Sequence, residues 1–202
     1  MKLIKCPSVE DLKNARRVFL EKEPRDLFYY IASELIELAI NERTKVTLSE
    51  AVAVLLQTWN KSYYQFRPFD NEHFNKIDIL IKKYDTDIIM NLRSRSILSI
   101  SDNDMEKICN IFHEFEQVLG PVGAAKSLHL LAPNFFPLWD RKIASEYKVP
   151  LGPVGTNSEK YWDFIETFSE QCKTLNGRLS KEDNLLKVID EYNYCHYTKD
   201  WI

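Results

Sequence analysis

The stretch LGPVGAAKSLHLLAPNFFPLWDRKI, residues 119–143, contains the clearest structural signal of the chain. An apolar helical pattern runs up to Gly120, and glycine is common where a helix ends. We predict a short Pro-Val-Gly turn after it, and then a second helix that begins near Ala124 and is stopped by Pro133. Such a hairpin leaves backbone N–H groups free at the start of the second helix, where the helix dipole attracts anions. The stretch therefore predicts a helical hairpin that can hold a phosphate.

Outside this stretch, apolar residues recur at helical spacing along nearly the whole chain. β-Branched residues in strand-like alternation are scarce. The pattern therefore predicts an all-α fold of about nine or ten helices. The clearest helical segments are 27–40, 51–59, 73–84, 105–119, 161–168 and 184–194. Capping-box spacing occurs at Thr47 with Glu50, at Thr156 with Glu159 and, more loosely, at Ser180 with Asp183.

The sequence LGPVG occurs a second time, at residues 151–155. The residues after the two copies share no clear pattern, which favours two helix junctions with similar turn chemistry over an internal duplication. Thr156, Asn157 and Ser158 follow the second copy and are typical of a turn and a helix cap. This copy begins eleven residues after Asp140 (151 − 140 = 11), which allows it to line the same cleft.

Composition limits the class of protein. A chain of 202 residues that is 45% hydrophobic and 12% aromatic can bury a core, which excludes a disordered tail. We expect one compact all-α unit over residues 1–202, either as a single body or as two helical subdomains with a cleft between them. The net charge of −3 argues against a broadly basic nucleic-acid-binding protein, although a local basic patch can still bind phosphates.

Neither a membrane segment nor a metal site is expected from the sequence. No apolar run reaches the roughly 18 residues of a membrane helix. The N-terminal stretch MKLIKCPSVEDLKNARR becomes charged too early for a signal peptide, so we expect a cytoplasmic protein. The four cysteines are scattered and include no Cys-x-x-Cys pair, which favours ordinary reduced thiols over a zinc site or an iron–sulfur cluster.

The order of these features resembles the helix-hairpin-helix DNA glycosylase superfamily over residues 45–147. LGPVG at 119–123 resembles the hairpin of that family, and FPLWD at 136–140 resembles the segment that bears its catalytic aspartate. VLLQTWN at 54–60 resembles the helix end from which a polar residue enters the DNA duplex. The resemblance implies a multi-helix, glycosylase-like fold with a core over 45–147 and the hairpin over 119–132.

The sequence departs from the family pattern at several positions. Pro121 stands where the first hairpin glycine is usual, and proline has no N–H to offer a phosphate. Lys126 comes one residue later than the lysine of the lyase-type members. A one-residue step rotates a helical side chain by about 100°, which predicts that Lys126 faces away from the pocket. The helix between hairpin and aspartate is shorter than usual, and the family's C-terminal iron–sulfur cysteines are absent.

The resemblance implies base excision by hydrolysis of the N-glycosidic bond. Asp140 would be the catalytic carboxylate that stabilises the positive charge on the sugar. Lys126 would form a Schiff base if it reached the sugar, but its position favours a monofunctional, water-using enzyme with Lys126 near a phosphate. The partner would be double-stranded DNA with a damaged or modified base, bound by a monomer. Repair and defence against modified phage DNA remain equally open.

The same resemblance suggests which residues contact DNA. The hairpin would bind a phosphate through Gly120, Val122, Gly123 and Ala124, and no cofactor is expected beyond a monovalent or divalent cation at this hairpin. Gln57 or Asn60 would fill the gap left by the flipped base. Arg93, Arg95, Arg141 and Lys142 would contact the backbone. The base pocket would be formed by Trp59, Tyr63, Tyr64 and Trp139.

Each of these residues also has a structural interpretation. Asp140 follows Pro137 as a helix N-cap often does. The aromatic residues at near-helical spacing are typical of a core, and Arg93-Ser94-Arg95 is typical of a solvated turn. His129 lies in an apolar helix and is expected to be buried and hydrogen-bonded. The alternative function is therefore a non-catalytic helical module that binds DNA or a protein.

Overall fold

The computed structural model describes residues 6–180 and 184–202, and this part of the chain is helical with no β-strand. The all-α prediction is confirmed. The α-helices of the described part, in chain order, are α1 Val9–Lys22, α2 Asp26–Ile40, α3 Leu48–Trp59, α4 Lys61–Tyr64, α5 Asn71–Asp85, α6 Met105–Leu131, α7 Arg141–Glu146, α8 Ser158–Leu175 and α9 Leu185–Asn193. π-Helical turns extend α5 at Thr86–Leu92 and α9 at Tyr194–Thr198, and two 3-10 turns, Ile97–Ser99 and Asp102–Asp104, precede α6.

One predicted capping box is confirmed and one is wrong. The Glu50 N–H donates to Thr47 Oγ1 at 3.2 Å, and the Thr47 N–H donates to the Glu50 carboxylate at 2.7 Å, at the start of α3. Thr156 does not cap α8, because its hydroxyl donates to the Pro153 carbonyl at 2.8 Å and Asn157 takes the N-cap position.

The remaining predicted box pairs Ser180 with Asp183. Asp183 lies outside the described residues. The cap of α9 is Asn184, whose side chain accepts from the Lys187 N–H at 3.0 Å.

The predicted hairpin turn is a kink inside α6. Gly120 alone departs from helical geometry, with φ 69° and ψ 166°, and the helix resumes at once with Pro121. The expected Pro-Val-Gly turn is therefore wrong. Proline suits the first position of a helical segment because its φ is fixed near −65° and no N–H partner is needed there. The second segment, 121–131, consequently begins earlier than the sequence predicted, and it ends before Pro133 as expected.

Gly120 is the tightest point of this kink, and replacing it with alanine should be costly. A Cβ at this position would lie 2.9 Å from the Tyr63 ring, and the residue would have to keep a positive φ. We expect Gly120→Ala to lower the free energy of unfolding by about 3 kcal/mol, from backbone strain and overpacking together. Gly177→Ala is the matched control. Gly177 has φ +74° with nothing within 4 Å in the described part of the chain, so this change should cost only about 1 kcal/mol.

Urea unfolding of the two variants measures the difference. Equal losses at the two glycines would contradict the close packing of Tyr63 against the kink.

The helices surround a large apolar core centred on α6 and α8. Phe112 stacks on Tyr161 with ring centroids 4.1 Å apart, and Trp139 packs edge-on against both rings. A second, smaller apolar cluster joins α1 to the C-terminal turn and contains Ala15, Val18, Phe19 and Cys195. Residues of both clusters line the pocket described below. The number of subdomains stays a prediction.

Two further sequence expectations concern the helices and the thiols. Every helix in residues 6–180 and 184–202 is too short or too polar to cross a membrane. All four cysteines are free, Cys172 and Cys195 are buried, and Cys6 and Cys109 are partly buried.

Candidate functional site: a charged pocket at the start of α7

A pocket with a volume of about 260 Å³ lies between the main core and the α1–C-terminal cluster. Phe19 of the smaller cluster and Trp139 and Ile143 of the main core all line it. The volume is slightly below the roughly 300–1,000 Å³ of pockets for drug-sized ligands, so the pocket suits a small group. The other residues that line it are Glu23, Arg25, Trp59, Ser62, Lys126, Leu138, Asp140, Asp190, Tyr194, Thr198 and Lys199.

Asp140 lies in this pocket and also caps α7. Its Oδ1 accepts from the N–H groups of Lys142, at 2.8 Å, and Ile143, at 2.9 Å. Its Oδ2 accepts from the Thr198 hydroxyl at 2.6 Å. The carboxylate is therefore held in one orientation by three donors, at the positive end of a helix dipole. Asp140 thus both caps α7 and lines the pocket.

Lys126 also lines the pocket, which corrects the expectation that it faces away. Its ammonium donates to the backbone carbonyl of Trp59 at the end of α3. The expectation failed because it assumed a turn up to Ala124. The helix in fact resumes at Pro121, so the helical positions after the kink differ from those of the family pattern. Burial lowers the pKa of Lys126 to about 8, although the negative charges of Asp140 and Asp190 oppose this shift.

A hydrogen-bonded group of three residues forms the rim of the pocket. Arg25 Nε donates to Glu23 Oε1 at 2.7 Å, and the Tyr194 hydroxyl donates to Glu23 Oε2 at 2.7 Å. Burial alone would raise the pKa of Glu23, but the hydrogen bonds from Arg25 and Tyr194 lower it to about 2. Glu23 is thus an anion at neutral pH, and Arg25 is fixed beside it with its side chain 44% exposed.

Behind the pocket lies a buried group of charges contributed by α2 and α9. Lys187 Nζ lies 3.0 Å from Asp26 Oδ1 and 2.9 Å from Glu191 Oε1. It also lies 4.3 Å from the centre of the Phe19 ring. Burial alone would lower the pKa of Lys187, but the carboxylates of Glu191 and Asp26 raise it, so that this lysine stays charged. Asp190, on the same helix, faces the pocket and is only 7% exposed.

None of the pocket residues outside 45–147 was predicted from the sequence. These residues come from the segment around Arg25 and from the C-terminal region after Asp190. One signal was available in the sequence. α9 places Lys187, Asp190 and Glu191 at helical spacing among apolar residues, and charged residues are almost never fully buried unless they are paired. Such a group on an apolar helix indicates a buried ion cluster.

Of the four predicted base-pocket aromatics, only Trp59 and Trp139 line the pocket. The Trp59 indole N–H donates to the Arg25 carbonyl at 2.8 Å, whereas Trp139 is 1% exposed and forms a wall. Tyr63 packs on the Gly120 kink, and its hydroxyl donates to the Val118 carbonyl at 3.1 Å. Tyr64 contacts His73, with 3.0 Å between the hydroxyl and Nε2. Neither tyrosine is among the residues that line the pocket.

The two residues that were predicted to enter the DNA duplex, Gln57 and Asn60, differ in exposure. Gln57 is exposed on α3. Asn60 is only 7% exposed, and its side chain packs against Gly123. Gly123 and Ala124 are buried, whereas Val122 is half-buried. The amides after the kink are therefore largely enclosed, and Pro121 has no N–H to add to them.

The predicted backbone-contacting cations also fall into two groups. Arg93 donates to the carbonyls of Leu130 and Leu131 at the end of α6 and pairs with Glu37. Arg95 pairs with Asp104, with 2.7 Å between Nη1 and Oδ1. Both arginines therefore stabilise the fold.

Arg141 and Lys142 are exposed at the first two positions of α7, directly after Asp140. Lys142 Nζ donates to the Thr198 carbonyl at 3.0 Å. These two cations thus lie next to the pocket.

The second LGPVG does not line the pocket. It is a loop attached to α6, because the Asn157 side chain donates to the buried carboxylate of Glu116 and to the Pro153 carbonyl at 2.8 Å. Gly155 has φ +91° and packs against Gln117. This copy is structural, and the suggestion that it lines the same cleft is wrong.

Comparison with known proteins adds no further information. No protein-family model, curated protein or solved structure matches this chain. Within residues 6–180 and 184–202, no group of three or more His, Cys, Asp or Glu could hold a metal ion. The functional argument therefore depends on the geometry and charge of the pocket.

Proposed function

We propose that the protein is a DNA glycosylase that takes one flipped base into this pocket and breaks its N-glycosidic bond. The observation that carries the proposal is the presence of Lys126 and Asp140 in one small pocket beside Trp59. An amine of lowered pKa, a fixed carboxylate and an aromatic side chain are groups that base excision can use. The chemistry takes place on a base that must first leave the stack.

Asp140 supplies the electrostatic part of the reaction. As the bond between sugar and base breaks, positive charge develops on the sugar, and a carboxylate beside it stabilises that charge. The two amide N–H groups and the Thr198 hydroxyl already hold the Asp140 carboxylate in place. Little reorganisation is therefore needed when the charge develops, which is the condition under which such stabilisation is largest.

Lys126 supplies the attacking group. An amine must be uncharged to attack the sugar carbon, and burial favours the uncharged form of this lysine. The expectation of a water-using enzyme depended on Lys126 facing away from the pocket. Its position in the pocket instead favours attack by the amine, which gives a Schiff base and allows strand cleavage afterwards. Water remains the alternative nucleophile, and Asp140 is placed to orient it.

Cations around the pocket provide the binding surface for DNA. Arg25 and Lys199 line the pocket, Arg141 and Lys142 follow Asp140, and Lys61 is exposed at the start of α4. The protein carries a net charge of −3, so this local group of cations is what favours phosphate binding. A longer DNA backbone could contact several of them at once.

Phe66 is the best candidate for the residue that enters the duplex. It is 86% exposed, the highest value among the large apolar side chains of the described residues, and it is followed by Arg67. It follows the end of α4 and lies four residues after Ser62, which lines the pocket. The enclosed position of Asn60 makes Phe66 the better candidate, and apolar side chains commonly enter base steps in this way.

We expect Phe66→Ala to weaken binding to a duplex that contains a tetrahydrofuran abasic site by about tenfold, since stacking on a base is worth about 1–3 kcal/mol. The matched control is Ile79→Ala. Ile79 is 67% exposed on α5 and is not among the residues that line the pocket. Its replacement should leave the affinity unchanged in fluorescence anisotropy. Equal affinities for all three proteins would exclude Phe66 from the duplex.

The proposed function is tested by a panel of duplexes that each carry one defined damaged or modified base. We expect the unaltered protein to release at least one of these bases, detected as the free base by mass spectrometry. Tight DNA binding without release of any base would instead favour the non-catalytic DNA-binding module.

A further inference from the structure

Asp190 is a second carboxyl group of the pocket, and its surroundings differ from those of Asp140. It lies on α9 and is only 7% exposed. Among residues 6–180 and 184–202, no group donates a hydrogen bond to its carboxyl oxygens. Asp140, by contrast, accepts from two amides and one hydroxyl. A buried carboxylate without donors is costly, whereas the protonated acid avoids this cost and can itself donate.

The nearby Lys187 is already paired with other carboxylates. Its ammonium lies within 3.0 Å of both Asp26 and Glu191. Asp190 is thus a third carboxyl group beside one buried cation. Burial raises the pKa of Asp190 to about 7; Lys187 opposes this shift and Asp140 adds to it.

Other charged and titratable groups also lie around Asp190, in the pocket or behind it. From the elements packed around Asp190, they are Lys187 and Glu191 on its own helix, Asp26 on α2, Lys126 on α6, Asp140 before α7, Glu23 and Arg25 before α2, and Tyr194 and Lys199 at the C-terminus. These charges have both signs and oppose one another in their effect on Asp190. The protonation of Asp190 therefore depends mainly on its burial and on the missing hydrogen-bond donor.

We propose that Asp190 is the proton donor to the leaving base, and that the substrates are therefore neutral bases with an acceptor atom rather than bases that already carry a positive charge. The proposal rests on the glycosylase function proposed above. The Asp190 O–H donates to a nitrogen or oxygen acceptor of the flipped base. As the bond from the sugar carbon to the base breaks, its electron pair moves into the base and the proton passes from Asp190 to the acceptor.

This division of roles uses both carboxyl groups of the pocket. The base leaves as a neutral molecule, Asp190 is left as a carboxylate, and Asp140 stabilises the positive sugar until Lys126 or water bonds to it. Either nucleophile loses a proton when it has attacked, and this proton can return to Asp190. Two carboxyl groups in different surroundings, one that accepts three hydrogen bonds and one that is buried without a donor, are a usual arrangement for an electrostatic stabiliser and an acid.

A positively charged base, such as 7-methylguanine, leaves without a proton and gains nothing from Asp190. We therefore expect the rate enhancement over the uncatalysed reaction to be greater for duplexes with neutral bases, such as hypoxanthine, uracil or 8-oxoguanine, than for a 7-methylguanine duplex. A greater enhancement for 7-methylguanine would overturn the proposal.

Asp190→Asn tests the residue itself. We expect it to lower the release of a neutral base by about 100-fold or more at pH 6, the usual range for a general acid. With Lys126 as the attacking group, release by the unaltered protein should be level between about pH 7 and pH 8 and fall about tenfold per pH unit above pH 8, and this fall should be absent in the variant. Glu191→Gln is the matched control, because Glu191 is a buried carboxylate on the same helix that is not among the residues lining the pocket. Glu191→Gln should keep the decrease of base release at high pH. If this decrease is lost in Glu191→Gln but kept in Asp190→Asn, the assignment to Asp190 is overturned.

Infrared difference spectra of the free protein separate this proposal from the proposed function. A carboxylic-acid stretch at pH 6 that disappears in Asp190→Asn supports the donor role. If that stretch is missing while base release persists, the donor role alone is overturned. If the stretch is present and no base of the panel is released, the proposed function fails and the donor role fails with it.

Discussion

Replacing Asp140 by asparagine is expected to lower base release by about 1,000-fold, because the charge that stabilises the positive sugar is removed. The fold should tolerate the change. Asparagine caps helices as well as aspartate does, so its Oδ1 can still accept from the amides of Lys142 and Ile143. The Thr198 hydroxyl can accept from the new amide instead of donating to the carboxylate. DNA affinity should stay within about threefold of the original, since no contact made in the ground state is lost.

Asp70→Asn is the matched control for this experiment. Asp70 is the N-cap of α5, where its Oδ1 accepts from the His73 N–H at 2.9 Å, and it is not among the residues that line the pocket. The same chemical change at this cap should leave base release intact. Single-turnover release from the most reactive duplex of the panel measures both variants. An Asp140→Asn protein that releases base at the original rate would reduce Asp140 to a helix cap.

Borohydride reduction is expected to join the protein covalently to DNA through Lys126. Burial lowers the pKa of this lysine to about 8. About 10% of its amines are then uncharged at pH 7, against about 0.04% for a lysine of ordinary pKa. On a duplex with an aldehydic abasic site, from which no base has to leave, the yield of the reduced adduct should rise with pH up to about pH 8, because the uncharged form attacks the sugar. Lys126→Arg keeps the positive charge but cannot form a Schiff base, so the adduct should disappear.

Lys199→Arg is the matched control for the trapping experiment, since Lys199 also lines the pocket. It should retain the adduct. If Lys126→Arg still forms the adduct and Lys199→Arg does not, the attacking amine is that of Lys199 and our assignment to Lys126 is wrong. Base release without any trapped adduct in the unaltered protein would identify water as the nucleophile, as the sequence alone had suggested.

Local sequence signals predicted the helices and the position of Asp140. Helical periodicity and the Thr47–Glu50 box depend on residues within a few positions of one another, and both are present in the structure. The position of Asp140 at the start of α7 was predictable for the same reason, because an N-cap is determined by the residues that immediately follow it.

The pocket walls were not predictable, because they depend on contacts between distant parts of the chain. Arg25 and Asp190 reach the pocket only when α1, α2 and α9 pack beside the core, and no local pattern encodes that packing. The prediction that Lys126 faces away from the pocket failed for a local reason. A kink at a single residue, Gly120, replaced the expected turn and changed the helical positions of the residues after it.

Arg93 and Arg95 show that the charge of a side chain is not sufficient to predict DNA binding. Arg93 and Arg95 were assigned to the DNA backbone because of their charge, but Arg93 donates to the carbonyls at the end of α6 and Arg95 pairs with Asp104. The carbonyls that Arg93 binds have no partner within their own helix, and the sequence does not show which side chain will reach them. Charge alone cannot separate an arginine that stabilises the fold from one that is free to bind phosphate.

The central claim is that a flipped nucleotide enters the pocket of Lys126 and Asp140. The most direct measurement is a crystal structure of the protein with a duplex that contains a single tetrahydrofuran abasic nucleotide. We predict that this nucleotide leaves the stack and lies between Lys126 and Asp140, with Phe66 in the gap of the duplex and Arg25, Arg141 or Lys142 on neighbouring phosphates. An abasic nucleotide that stays within the duplex, or DNA bound to another face of the protein with an empty pocket, would contradict the account.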